Sequence, residues 1–216
     1  MKRYPLFIIL ALAFFLRMGD LYYPGHFPQP DEMFSLDAAT QPTVIDTIHF
    51  VAEDTHPPLY FLVLRLWTRI LPPTYFSIKF LSILFNVLNI ALTWHLAQRW
   101  LDRRGADIVA LFMALSPWNL YWSHLARNHQ MLPVFFTLST SALLQWMDSR
   151  SRKLPILYLV HAAIMVQTNY LSFFILGTHA LIILVSLKKD IHRIMVGLAA
   201  MGMALMSYLP FAGPFY

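Results

Sequence analysis

The sequence predicts an all-α protein: a polytopic transmembrane helical bundle of about seven to eight helical segments with a large external first loop. Of its 216 residues, 58% are hydrophobic and only 12% are charged. A soluble domain carries roughly 25% charged residues, and one of this size could not bury so much apolar surface. The solvent around most of the chain is therefore predicted to be lipid, in which a spanning helix needs about 20 residues.

Eight apolar segments can form helices, and we interpret them as one domain over residues 1–216 because no repeat or linker divides them. The first follows Lys2 and Arg3 and precedes no small-residue cleavage site, which indicates a retained signal anchor. Two of the segments, 57–71 and 154–168, are shorter than a membrane-spanning helix needs. The eight lie near 5–23, 57–71, 75–97, 106–122, 129–147, 154–168, 170–187 and 191–211.

The charges predict an orientation. Seven of the eleven acids lie between Asp20 and Leu64, a stretch without Lys or Arg, whereas 11 of the 16 basic residues form four clusters. Basic residues near helix ends stay cytoplasmic. We therefore expect a plasma (inner) membrane protein with a cytoplasmic N-terminus and an external acidic loop at about 19–56. The clusters are Lys2/Arg3, Arg99/Arg103/Arg104, Arg150/Arg152/Lys153 and Lys188/Lys189/Arg193.

Composition also excludes several classes of protein. There is no cysteine, which excludes disulfides, thiolate nucleophiles and cysteine-based zinc sites. The pI is near 9.6, but the basic clusters alternate with apolar runs, as in cytoplasmic membrane loops and not as in nucleic-acid-binding surfaces. The partner predicted by composition is the bilayer, and no nucleic acid is expected.

The chain passes from the external loop to the cytoplasmic cluster at 99–104, so it must cross the membrane an odd number of times between them. Two apolar segments lie in that interval, and one of them should therefore not cross. The segment 57–71 is the better candidate for a non-crossing helix, because it is short, carries Arg65 and Arg69, and ends at Pro72-Pro73. The alternative is a full hairpin that breaks the charge rule. In the first case the acidic loop, the turn near 117–129 and the turn near 168–170 share the outer face.

Candidate chemistry begins with the adjacent carboxylates Asp31 and Glu32, which follow Pro28-Gln29-Pro30 on the acidic loop. Such a pair can divide the roles of general base and of hydrogen-bond acceptor or metal ligand. The alternative is a pair of solvated loop acids. Further on, Glu53, Asp54 and His56 could supply ligands to a divalent ion. In the simpler interpretation, Asp54 or Thr55 caps a helix that begins at Pro57-Pro58.

Arg127 is the other candidate, since it is isolated from the basic clusters and falls on the outer side of the predicted topology. A lone membrane arginine usually has a partner, and its planar fork suits a phosphate or a carboxylate of the acidic loop. The alternative is that it snorkels to the lipid headgroups. Asn169-Tyr170 forms a polar turn that could line a cavity. Polar residues inside apolar helices, such as Asn86 and His179, are expected to form interhelical hydrogen bonds.

Taken in order, these motifs resemble the GT-C superfamily of membrane glycosyltransferases, especially the protein O-mannosyltransferase and aminoarabinose transferase-like family. The resemblance rests on four elements. Two positions differ from the family pattern: Asn128-His129 follow Arg127 where relatives tend to have tyrosine, and Asn169 stands where histidine is common. The four elements are Asp31-Glu32, His56-Pro57-Pro58-Leu59-Tyr60, Ser116-Pro117 with Arg127, and Thr168-Asn169-Tyr170.

The resemblance implies an inverting glycosyltransferase that moves a hexose or pentose from a polyprenyl-phosphate donor to a lipid, glycan or protein acceptor at the external membrane face. Asp31 would be the base, supported by Glu32, and Arg127 would bind the donor phosphate. The resemblance does not decide whether a divalent metal ion is bound, and Glu32, Asp54 and His56 are the candidate ligands. The residues expected to line the site are Asp54, His56, Tyr60, Asn128, His129, Asn169 and Tyr170.

The resemblance covers nearly the whole chain but only the first part of a typical relative, so the chain is expected to be a fragment, a minimal member or a degenerate member. The alternative function is a non-catalytic membrane subunit, or a module that binds lipid-linked sugar, with the same architecture. A transporter is a third class, and it would predict internal repeats and ionisable groups at mid-membrane, neither of which is clear in the sequence.

Overall fold

The structure is a computed structural model that describes residues 4–21, 29–54, 56–149, 151 and 153–211. These residues form eleven α-helices and one 3₁₀ turn, with no strand among them, which confirms the predicted all-α class. In chain order they are α1 (Tyr4–Leu21), α2 (Pro30–Thr40), α3 (Val44–Glu53), α4 (Leu59–Ile70), α5 (Tyr75–Ala97), α6 (Arg103–Leu115), α7 (Pro117–Ser123), α8 (Met131–Asp148), α9 (Lys153–Val166), α10 (Ser172–Ser186), α11 (Ile191–Met206) and the 3₁₀ turn Leu209–Phe211.

Each of the eight predicted apolar segments is helical, but the segment 106–122 is two helices, α6 and α7. The break falls at Ser116, whose backbone is extended (ψ 121°) because the next residue is Pro117. The Ser116 hydroxyl then accepts the backbone N–H of Asn119 and starts α7.

The external loop predicted at about 19–56 is largely helical, which is a correction: it contains α2 and α3. Helix α2 begins with Pro30, a residue that tolerates the first helical position, and has Asp31 and Glu32 in its first turn, where carboxylates favour the helix dipole. Helix α3 begins after Thr43, whose backbone N–H and hydroxyl both donate to Asp46.

Only α5, among the described helices, is long and apolar enough by itself to cross a membrane. The predicted short segment 57–71 is indeed short, since α4 has 12 residues and is therefore about 18 Å long. The guanidinium of Arg65, on α4, is buried and donates to the backbone carbonyls of Gln41 and Pro42, between α2 and α3. The sequence had not indicated this partner.

The chain forms two compact units. The first comprises Met1–Thr47 and Phe61–Val134, and the second comprises Ile48–Tyr60 and Phe135–Tyr216. In unit 1, helices α1, α5 and α6 pack on one another. Their core includes Ala13, Ala110 and Ala114, whose small side chains let helices approach closely in an apolar solvent.

A buried polar network joins the helices of unit 1. The Nε of Arg17, on α1, donates to Oδ1 of Asn86, on α5, at 2.7 Å. The amide nitrogen of Asn86 donates to Asn119 and to Gln130, both at 2.8 Å. The predicted interhelical role of Asn86 is therefore confirmed.

In unit 2, helix α11 packs on α9 and α10. Gly197 is required at this packing, because a Cβ there would lie 3.0 Å from atoms of both Ile183 and Trp146. His179 is buried and lies within hydrogen-bond distance of Thr140 and Tyr158, at 3.0 and 3.3 Å, as expected for a polar residue that bridges helices.

Candidate functional site

The first turn of α2 presents two adjacent carboxylates in opposite environments. The Asp31 side chain is 68% exposed, whereas Glu32 is completely buried. Glu32 turns back along its own helix, and its Oε2 accepts the backbone N–H of Gln29 at 3.0 Å. The interpretation of this pair as solvated loop acids is therefore wrong for Glu32.

Glu32 links three parts of unit 1. Its Oε2 lies 3.2 Å from the Nζ of Lys79 on α5, and its Oε1 accepts the backbone N–H of Ala126 at 3.2 Å. The Lys79 side chain is only 11% exposed, so the ion pair is largely withdrawn from water. Sequence reasoning missed Lys79, since one lysine inside an apolar helix gives no signal of its partner.

Arg127 follows Ala126 and reaches Asp31. Its Nη1 donates to the backbone carbonyl of Asp31 at 3.4 Å, and its Nε lies 3.9 Å from Oδ2 of the same residue. The guanidinium also lies over the rings of Phe34 and Phe61, at 5.5 and 6.0 Å. With 8% of its side chain exposed, Arg127 does not snorkel to a headgroup region. It has the carboxylate partner that the sequence offered as one possibility.

Asn128 and His129, the two residues after Arg127, lie in different surroundings. Asn128 is buried. The ring of His129 packs edge-on against the indole of Trp122, with centroids 4.5 Å apart. Both residues follow Arg127 in the chain, and their predicted place in the lining of a site stays a prediction.

A second cluster lies in unit 2, where Asp54 and His56 form a pair. The Nδ1 of His56 is 3.1 Å from Oδ2 of Asp54 and 2.8 Å from the Asp54 backbone carbonyl. Asp54 therefore orients the imidazole, and α4 begins only at Leu59, after both prolines. The N–H of Leu59 donates to the carbonyl of Gln167 at 3.2 Å. The other predicted cap, Thr55, lies outside the described residues.

The predicted polar turn lies beside this pair. The rings of His56 and Tyr170 are 6.5 Å apart, and Oδ1 of Asn169 accepts the N–H of Leu171 at 2.9 Å, which closes the turn. The Tyr208 hydroxyl donates to the Tyr170 hydroxyl at 3.2 Å. Burial raises the pKa of the Tyr170 phenol, helped by this hydrogen bond and by the charges of Tyr208 and Asp54. Tyr60, also expected to line a site, is completely buried.

The metal candidates fall into two sets. Within the described ranges, no group of three His, Asp or Glu residues lies close enough to hold a metal ion. Glu32 belongs to unit 1, where its oxygens already accept from Lys79 and two backbone N–H groups. Asp54 and His56 belong to unit 2 and together offer a carboxylate and an imidazole. A metal role for any of these residues stays a prediction.

The described residues thus form a helical, strongly apolar fold that holds an exposed carboxylate beside a buried guanidinium, two kinds of group that membrane enzymes use in group transfer. Residues 55–213 match the family described as dolichyl-phosphate-mannose-protein mannosyltransferase. The chain belongs to this family, and hence to the membrane glycosyltransferases of the GT-C superfamily. No curated protein and no solved structure matches it. The family match includes His56, Arg127 and Tyr170 but begins after Asp31 and Glu32.

Proposed function

We propose that this chain transfers a sugar from a polyprenyl-phosphate donor to an acceptor at the external membrane face, with inversion at the anomeric carbon. The observation that carries the proposal is the exposed carboxylate of Asp31 held beside the buried guanidinium of Arg127. A general base and a group that receives departing negative charge are the two functions that such a transfer needs.

In the proposed step, the Asp31 carboxylate takes the proton of an acceptor hydroxyl or amine. The acceptor atom then attacks the anomeric carbon and forms the new glycosidic bond. The bond between that carbon and the phosphate oxygen breaks, and the electron pair leaves with the polyprenyl phosphate. Arg127 stabilises the departing phosphate, for which its planar donors are suited. Atoms and charge balance without any further reactant.

Glu32 is proposed to position Asp31 and Arg127 relative to each other without touching the substrate. It is buried, and it connects the helix that carries Asp31 to the backbone N–H of Ala126, the residue before Arg127. Asp54, His56 and Tyr170 form a separate cluster within unit 2, and its hydrogen-bonding groups and aromatic ring are of the kind that bind sugars. The acceptor is a lipid, a glycan or a protein.

The direct test is sugar transfer from a radiolabelled polyprenyl-phosphate sugar, in membranes that contain either the wild type or Asp31→Asn. Donor binding is measured in the same membranes. Transfer by the wild type, with binding but no transfer by the variant, is the expected result. If the wild type binds donor but does not transfer sugar, the chain is instead a module that binds lipid-linked sugar.

Arg127→Gln should weaken donor binding by about 10- to 100-fold, because a charge-assisted hydrogen bond to phosphate is worth about 1.5–3 kcal/mol. Arg127→Lys should recover only part of the affinity, since lysine keeps the charge but not the fork. Binding isotherms with a polyprenyl-phosphate sugar give both values. Arg69→Gln, at an exposed arginine of α4, is the matched control. Unchanged affinity in Arg127→Gln, with slower transfer, would leave Arg127 only the task of positioning Asp31.

The proposed orientation can be tested directly because the chain contains no cysteine. Met33→Cys, at an exposed position on α2, should react with a membrane-impermeant maleimide in intact cells. Gln98→Cys, exposed at the end of α5, should react only after the membrane is opened. The reverse pattern would contradict an external acidic segment and a cytoplasmic N-terminus.

A further inference from the structure

A groove on unit 2 is separate from the residues discussed so far. It is formed by the end of α8, the first half of α9 and one side of α11, and its volume is about 720 Å³. Ligand sites typically have volumes of about 300–1,000 Å³. None of the residues that line the groove belongs to the proposed transfer site, so the groove needs an explanation of its own.

The lining residues are sorted by polarity along the groove. The polar ones lie at one end, near the start of α11, and they are Ser151, Asp190, His192 and Arg193. The apolar ones continue along α9 and α11 and include Ile156, Leu159, Val196, Ala199 and Met203. From Arg193 to Met203 the helix rises about 15 Å. A ligand that fits this order has a polar head and a long apolar chain parallel to the helices.

Arg193 is fixed at the polar end. Its guanidinium lies over the Trp146 ring at 5.2 Å, and its Nη2 donates to the backbone carbonyls of Trp146, in the last turn of α8, and of Ser149, just after that helix. Its Nε is buried, and among the described residues it has no hydrogen-bond partner. One donor of the guanidinium is therefore not used by the described protein groups, and the Arg193 side chain lines the groove together with Trp146.

The charges at this end are net positive. The described residues of the segments that meet there, 148–153 and 188–193, include four basic residues, Lys153, Lys188, Lys189 and Arg193, and two acids, Asp148 and Asp190. The Asp190 carboxylate accepts the backbone N–H of Arg193 and so caps α11. The polar end therefore suits an anionic head, and the apolar length suits an acyl chain. Basic pockets between membrane helices bind anionic lipid headgroups for this reason.

We propose that this groove binds an anionic phospholipid of the bilayer, with the phosphate near Arg193 and an acyl chain along α11. The proposal does not depend on sugar transfer. With the orientation proposed above, the site lies in the cytoplasmic leaflet. The bound lipid would connect α8, α9 and α11 at the end of unit 2 opposite Tyr170, because α9 runs from the groove towards the Asn169-Tyr170 turn.

The test is native mass spectrometry of the purified full chain, titrated with dioleoyl phosphatidylglycerol or with phosphatidylcholine as the zwitterionic probe. We expect the anionic lipid to bind more tightly. Arg193→Gln should reduce that preference about fivefold, the effect of one basic side chain at a lipid surface. The matched control is Arg104→Gln, which removes the same charge from an exposed position in unit 1 and should leave the preference unchanged.

A second variant keeps every charge. Ala199→Leu adds bulk inside the groove and should reduce the binding of the anionic lipid even if Arg193→Gln is poorly folded. Three results would overturn the proposal: equal binding of the two lipids, an equal loss in Arg104→Gln and Arg193→Gln, or unaltered binding in Ala199→Leu. Tighter binding of a free polyprenyl phosphate, competing with phosphatidylglycerol, would also assign the groove to another ligand.

Discussion

Asp31→Asn should slow sugar transfer by about 10²-fold or more, the typical contribution of a general base, and should leave donor binding unchanged. Asparagine has the shape of aspartate but cannot take a proton from the acceptor. A factor of 10² corresponds to about 2.7 kcal/mol in the activation free energy. The loss of a carboxylate from the first turn of α2 costs only about 0.3–1 kcal/mol through the helix dipole. The catalytic effect should therefore clearly exceed any structural effect.

The matched control is Asp37→Asn, because Asp37 is an exposed aspartate on the same helix. It should transfer sugar at the wild-type rate. The readout is the initial rate of transfer at saturating donor, together with the donor dissociation constant of each variant. A wild-type rate in Asp31→Asn would move the base to another residue. A parallel loss of donor binding would make Asp31 a binding residue and remove its proposed role as base.

The apolar pattern was sufficient to predict most of the helices. The segments 75–97 and 129–147 correspond to α5 and α8 because long apolar runs bounded by prolines or charges have few alternatives in lipid. The two helices of the acidic segment were not predicted. Helix α2 is polar, with three acids among its 11 residues, and α3 has only 10 residues, about half the length of a membrane span. A signal for α2 was nevertheless present in Pro30 followed by Asp31 and Glu32, a usual start of a helix.

The meeting of distant motifs could be predicted in part. Parity placed the acidic segment and the turn near 117–129 on one face, and the structure brings Asp31 to Arg127 in unit 1. The end of the same acidic segment lies beside the turn near 168–170 in unit 2, where the ring centroids of His56 and Tyr170 are 6.5 Å apart. The sequence could not predict that Glu32 would be buried and Asp31 exposed, because adjacent helical residues point in different directions and their neighbours depend on tertiary packing.

Lys79 illustrates what pattern alone cannot provide. A lysine inside an apolar run can extend its ammonium towards water, pair with a carboxylate or mark a functional site. Which of these roles Lys79 has depends on the group that packs against its side chain in the folded protein. That group is Glu32 of α2, a helix that begins at Pro30, 49 residues before Lys79 in the chain.

Lys79→Met should be the most destabilising of the proposed single substitutions, by about 3–5 kcal/mol. Removal of one partner leaves an uncompensated charge in a buried place, and that penalty exceeds the modest net contribution of the ion pair itself. Glu32 is completely buried, so water cannot replace the ammonium of Lys79. Thermal unfolding of the purified chain, followed by loss of the monodisperse fraction, measures the effect. Lys153→Met, at an exposed lysine of α9, is the control and should have little effect.

The double variant Lys79→Met/Glu32→Gln separates charge burial from shape. Glutamine is neutral and its carbonyl oxygen can still accept the N–H of Ala126, so most of the lost stability should return. If stability returns and transfer also returns, the ion pair contributes only to folding. If stability returns but transfer does not, the charge of Glu32 is needed to hold Ala126 and Arg127 against Asp31. Wild-type stability in Lys79→Met alone would show that the pair does not form in the membrane, and the positioning role of Glu32 would fail with it.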